Sequence, residues 1–180
     1  ILSPVYFAGI ENAKEETVVA TLKKDKKVLQ TKSWQVTALP FDFWEGTEGD
    51  NTLLASFVRP RLADCLKIQN EISTQLLKWK VKCELGGYTG NDKNAVRHIL
   101  AGLFSSLRKL SLQKECADIS MPINVGEYTK LISKKSATNL EIALFATSVL
   151  ESLGLHPVLA IGKEIACGVW LYDACFLDTV

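Results

Sequence analysis

Five cysteines (Cys65, Cys83, Cys116, Cys167 and Cys175) and two histidines (His98 and His156) are the residues of this chain best suited to chemistry. A thiolate beside an imidazole is a nucleophile with its base, and thiols and imidazoles together can hold zinc. Their spacing supports neither arrangement. There is no CxxC pair, and an odd, widely spaced set of cysteines argues against a disulfide framework and for a reducing, cytoplasmic setting. Cys167 lies in an apolar run and Cys65 on an apolar helical stripe, so both read as core packing. Cys116, in Lys114-Glu115-Cys116-Ala117-Asp118, reads as an exposed thiol, and Cys83 and Cys175 have no distinguishing partner. His98 follows Val96 by two residues and falls opposite an apolar helical face. His156 precedes Pro157, which implies extended backbone and a structural hydrogen bond. His156, Glu164 and Asp173 are a conceivable metal set, but nothing in their spacing calls for one, and no metal or cofactor is expected.

Charge offers a second chemistry. Residues 1–50 carry six basic and eight acidic side chains, residues 51–135 fourteen and seven, and residues 136–180 one and five, for a total of +1. A basic middle third could track phosphates, with Arg59, Arg61, Lys78, Lys80, Lys82, Lys93, Arg97, Arg108 and Lys109 as candidate nucleic-acid contacts. The plainer reading is the solvated faces of two helices, since no aromatic residues interleave with the charge.

The 180 residues are 47% apolar and 23% charged, with mean hydropathy +0.10, which excludes a disordered or collagen-like chain. Lys163 and Glu164 interrupt the most apolar stretch, so no membrane span or membrane partner is expected. The chain begins at Ile1 without Met and ends just after an apolar run, and is expected to be a fragment of a longer protein. Its first forty residues read as strands: Val5–Phe7, Thr17–Leu22, Val28-Leu29 and Trp34–Val36, separated by charged turns such as Lys23–Lys27. An exposed aromatic junction at Phe41, Phe43 and Trp44, read as an inter-domain seam, and a Gly-rich acidic loop follow.

From Thr52 the apolar period becomes helical. Leu62, Cys65, Leu66, Gln69, Ile72, Leu76 and Trp79 form one stripe, with Gln69 its polar exception. After Gly86–Gly90, Asn91 or Asp92 can cap a second helix bearing Val96, Ile99, Leu100, Leu103, Leu107 and Leu110. A short helix is expected around Glu127–Ile132. The segment from about Thr138 to Leu153 is apolar nearly all round and must be buried, with Gly154 as its left-handed stop. Leu155–Ile161 and Ile165–Tyr172 read as two buried strands.

A buried helix followed by a strand pair is the core arrangement of papain-like and transglutaminase-like folds. There a cysteine at the helix N-terminus gains thiolate character from the dipole, and a histidine on the following strand is its base. Several blocks of this chain also resemble a bacterial transglutaminase-like domain. They are Leu39–Trp44, Leu53–Val58, Gly87-Tyr88, Ala95-Val96-Arg97, and above all Leu153-Gly154-Leu155-His156-Pro157-Val158-Leu159 with Gly168-Val169-Trp170-Leu171. That domain lies near the N-terminus of very large proteins that also carry a superfamily I DNA helicase and a nuclease-like region.

The resemblance implies an α+β fold. Residues 1–44 would be a partial immunoglobulin-like β segment, and residues 45–180 a transglutaminase-like domain cut short at its C-terminal strands. It also exposes two departures. Asn139 occupies the nucleophile position and Glu164 the base position, and an amide offers no nucleophile to an acyl carbon. Asn139 would instead cap the helix and point toward Glu164 across a small cleft. The third family carboxylate is Asp173, Asp178 or a residue beyond the chain end. The expected function is a non-catalytic accessory module, with other domains of the parent protein as partners. Two alternatives remain: a cysteine hydrolase or acyltransferase with a relocated nucleophile beside His98 or His156, and a DNA-binding module using the basic segment.

Overall fold

The computed structural model describes residues 9–40, 42–88, 92–126 and 131–172. The expected strand at Val5–Phe7, as well as Phe41, Glu127, Asp173, Cys175 and Asp178, lie outside them. The architecture is mixed α and β with small sheets, compatible with the α+β class. The chain divides into two units, residues 1–43 and 44–180.

The first unit is a two-stranded antiparallel ribbon of β1 (Lys14–Lys24) and β2 (Lys27–Ala38). The expected separate runs Val28-Leu29 and Trp34–Val36 belong to one strand, because Gln30–Ser33 between them are polar but β-competent and the ribbon has no buried face for them to spoil. The turn contracts to Asp25-Lys26, with Asp25 left-handed at φ 54°, a conformation Asp tolerates better than most residues. Opposite pairs sort the ribbon into two faces. Val18↔Trp34, Glu16↔Val36, Ala20↔Lys32 and Leu22↔Gln30 make the more apolar one, while Thr17↔Gln35, Val19↔Ser33 and Thr21↔Thr31 make the polar one. A bulge follows Leu22, beyond which Lys23 faces Val28.

Between the units falls β3 (Phe43–Trp44). Trp44 corrects the expectation of an exposed aromatic junction: it is fully buried in the second unit's core. A 3-10 turn over Asn51–Phe57 is capped by Asp50, whose carboxylate accepts from the Thr52 N–H at 2.9 Å. Then come helix α1 (Ala63–Lys78) and helix α2 (Lys93–Lys109), which pack on each other. Asp92 caps α2 by accepting from the Asn94 N–H at 2.8 Å. Short strands β4 (Gln113–Lys114), β5 (Ile123–Asn124) and β6 (Ser136–Ala137) surround the one-turn helix α3 (Leu131–Lys134), and β4 pairs with β6 in parallel. The central helix α4 (Asn139–Ser152) and the antiparallel pair β7 (Pro157–Ile161) and β8 (Ile165–Val169) complete the described structure.

Helix α4 is the core. Leu140, Ala143, Leu144, Phe145, Ala146, Val149 and Leu150 are buried, and α1, β6, β7 and β8 pack against it. The two strands after it correct the expectation of buried strands, since each buries only one face. Leu159, Ile165, Cys167 and Val169 turn inward, whereas Val158, Ala160, Ala166 and Gly168 alternate outward. In α1 the expected stripe is also corrected: Leu66 and Trp79 are exposed, and Ile68 and Gln75 take buried places. The α1–α2 contact explains the rotation. Gly102 of α2 sits so close to Ile72 that an added Cβ would lie 2.9 Å from Ile72 Cγ2.

That approach reverses the usual rule for glycine in a helix. Gly→Ala in an open helix gains about 1 kcal/mol, but Ile72 is fully buried and its branched side chain is stiff at χ1. Gly102→Ala is therefore expected to lower stability in urea denaturation by ~1–3 kcal/mol. An unchanged or raised midpoint would show that the helices separate freely at this point.

Candidate functional site

The start of α4 is built from its own first turn. Thr138 Oγ1 accepts from the Glu141 N–H at 3.2 Å, and the Glu141 carboxylate accepts from the Thr138 N–H at 2.7 Å. This reciprocal cap satisfies donors at the end of the helix that would attract an anion. The cap is Thr138 and not Asn139, which correct the sequence expectation; a hydroxyl one residue earlier has the extended backbone that a cap requires. Asn139 is thereby left as the first helical residue with its side chain half-buried.

Asn139 and Glu164 come together on the walls of two adjoining hollows. The larger, about 240 Å³, is apolar: Leu103, Phe104, Ile142, Ala146, Ile165 and Cys167 line it. The smaller, about 140 Å³, is polar and includes Lys114, Cys116, Thr138 and Lys163. The Glu164 side chain is 70% exposed and its carboxylate lies 3.7 Å from Lys114 Nζ, a surface pair of small energetic weight. A carboxylate so solvated does not act as a buried general base beside an amide.

Burial pushes Cys65 up from its ordinary 9.0 to about 11, and burial likewise raises Cys83 and Cys167. Cys167 Sγ sits 3.2 Å from Thr147 Oγ1, on the wall of the apolar hollow. Cys116 is exposed on the polar one. Neither histidine reaches either hollow. His98 is exposed on α2, and His156 lines a separate cavity of about 540 Å³ whose walls hold no cysteine.

His156 has a structural setting. Its ring stacks on Tyr88 with centroids 5.4 Å apart. The Tyr88 hydroxyl accepts from the His156 N–H at 3.0 Å and donates to the Trp170 carbonyl at 2.9 Å. The Trp170 N–H in turn donates to the His156 carbonyl at 3.1 Å. Beside them the Gly87 N–H donates to the Leu153 carbonyl at 2.6 Å. Gly87 (φ 55°) and Gly154 (φ 73°) approach so closely that a Cβ on Gly87 would lie 3.3 Å from the Gly154 carbonyl oxygen. Sequence reading missed this clasp, although Gly87-Tyr88, Gly154, His156 and Trp170 all stood out singly.

The basic candidates lie on α1, α2 and the segments flanking them. Lys109 pairs with Glu71, whose carboxyl it holds below the usual range. Arg97 donates to Asn94 Oδ1 at 3.2 Å, and Lys93 lies 5.1 Å from the Tyr172 ring centroid. Arg61, Lys78, Lys80, Lys82 and Arg108 are exposed, and Arg59 is half-buried with its N–H donating to Ser148 Oγ at 2.9 Å. Among the described residues no group of three His, Cys, Asp or Glu is placed to hold a metal ion, and no helix is long and apolar enough to cross a membrane. No protein-family model, no curated protein and no solved structure matches the chain.

Native-state alkylation read by peptide mass spectrometry checks the thiol assignments. Exposed Cys116 should react at pH 8 at least tenfold faster than Cys65 and Cys167, whose thiols burial raises. The same burial makes stability fall with alkali. Folded Cys65 keeps its proton to about 11, while the unfolded thiol releases it near 9.0, so its contribution is complete below pH 9 and is lost toward pH 11. Cys65→Ala should remove that component of the alkaline limb. Rapid alkylation of Cys167 at acid pH would overturn the assignment.

Proposed function

We propose that the chain is a non-catalytic, transglutaminase-like interaction module of a larger bacterial helicase-type protein, working in the cytoplasm with other domains of its parent as partners. The observation that carries this reading is the start of α4. Where a transglutaminase-like centre would hold its thiol, Asn139 stands beside a helix end already closed by Thr138 and Glu141. Where the base would stand, Glu164 is exposed and next to Lys114. The surrounding scaffold supports the same view, since a buried helix followed by an antiparallel strand pair is retained around residues that cannot form an acyl-enzyme. Cys167 and Cys116 each share a hollow with Asn139 and Glu164, Cys167 with its thiol raised by burial and Cys116 exposed, and they favour the relocated-nucleophile alternative only to that extent.

Reconstruction tests the reading. With Asn139→Cys and Glu164→His together, the introduced thiol should alkylate at pH 6 at least ~10-fold faster than Cys116, because a neighbouring imidazolium lowers a thiol pKa even where the helix end is already capped. The wild-type chain should incorporate no amine into a glutaminyl peptide. An introduced thiol no more reactive than Cys116 would remove the transglutaminase-like assignment. Wild-type incorporation abolished by Cys116→Ala would replace a silent site with a relocated one.

A further inference from the structure

The ribbon of the first unit is a second functional element, independent of the reading of α4. Its charge is polarised along its length. Lys23, Lys24, Lys26, Lys27 and Lys32 occupy the half nearest the turn, and Asp25 is the only acid between residues 17 and 41. At the opposite end stand Glu15 and Glu16. Glu16 is 2.7 Å from Lys14, and Glu15 accepts from the Thr37 hydroxyl at 2.7 Å. All of the lysine-bearing residues are exposed.

The more apolar face of the ribbon exposes Val18, Leu22, Trp34 and Val36, but charge and amide groups break it up. Lys32, Gln30 and Glu16 interrupt the more apolar side, and the Lys32 ammonium lies 5.1 Å from the Trp34 ring centroid. Around the exposed Val19, the other side carries Thr17, Thr21, Thr31, Ser33 and Gln35, short hydroxyl and amide groups able to reach phosphates or base edges. The strand of 11 residues is about 36 Å long at ~3.3 Å per residue. A two-stranded ribbon fits the B-DNA major groove, which is about 12 Å wide, and not the deep narrow major groove of duplex RNA. Lys23 and Lys24 are consecutive in β1 and so emerge on opposite faces, where they can meet both groove walls.

We propose that the β1–β2 ribbon binds duplex DNA, its lysine-bearing half seated in the major groove. The test is fluorescence anisotropy of the full chain with a labelled 24-base-pair duplex, titrated between 50 and 200 mM salt. Combined Lys23→Gln, Lys24→Gln, Lys26→Gln and Lys27→Gln should lower the slope of log affinity against log salt by ~3.6, at about 0.9 per phosphate contact. Over that salt range the wild-type chain would lose on the order of 150-fold more affinity than the variant. Lys78→Gln, Lys80→Gln and Lys82→Gln together should leave the slope unchanged. A measurement free of any folding effect is lysine acetylation of the wild-type complex, in which DNA should protect Lys24 and Lys26 but not Lys80. A major-groove ligand, methyl green, should displace the chain, and netropsin should not. Equal slopes, absent protection, or equal affinity for duplex RNA or poly-glutamate would each overturn the proposal.

Discussion

A helix that is apolar around its whole circumference has to be enclosed, and in this chain nearly every other feature of the second unit answers to α4. Burying its leucine, valine and phenylalanine side chains is worth about 1.5–3 kcal/mol each against leaving them in water. The same enclosure makes every polar atom on the helix expensive to leave alone. Thr147 and Ser148 donate back to the Ala143 and Leu144 carbonyls, each at 2.8 Å. Ser152 donates to Val149 and accepts from Gln69 at 2.7 Å, while Ser148 also accepts from the Arg59 N–H. These bonds fix where the chain enters α1 and how α1 lies, so the polar residues of the central helix orient its neighbour.

Enclosure also decides what the helix ends can do. The N-terminus closes on itself through Thr138 and Glu141, and Glu141 is itself buried. A thiolate or other anion placed there would compete with a carboxylate that already holds one of the amides. At the other end Gly154 turns the chain in a left-handed conformation and brings Leu155 into the core, and Gly87 packs on that turn. The Tyr88–His156–Trp170 contacts then lock the start of β7 and the end of β8 together. His156 is consumed in that architecture, far in role from an acid–base residue.

Local signals were sufficient where one residue type at one place carries the information. The all-apolar run of α4, the glycine that ends it and the Asp92 cap of α2 are of this kind. The juxtaposition of Asn139 and Glu164 was legible too, because it follows from which end of a helix meets which end of a strand. Contacts between distant segments were not. Leu66 and Trp79 extend the apolar spacing of α1 as well as Ile68 does, and only the Gly102–Ile72 approach and the Gln69–Ser152 bond show which side faces inward. Trp44 belonged by sequence to an aromatic junction, yet the core takes it, because a large apolar side chain next to an enclosed helix gains more by burial than at a surface.

The two units rest on different physics. Helix α4 draws on many buried contacts, whereas the ribbon has both faces exposed and depends on its hydrogen-bond ladder and on cross-strand pairs such as Val18–Trp34 and Thr17–Gln35. Such pairs contribute roughly 0.2–1 kcal/mol each, and a lone two-stranded ribbon is marginal in water. Five lysines gathered toward one end add mutual repulsion that only Asp25 relieves nearby. A sequence selected for the stability of this ribbon alone would not place them there, since alternating signs or neutral residues would serve better. The lysines lower the stability of the free ribbon through mutual repulsion, which an anionic surface set against them would relieve, and they also keep its two open edges from pairing with other strands.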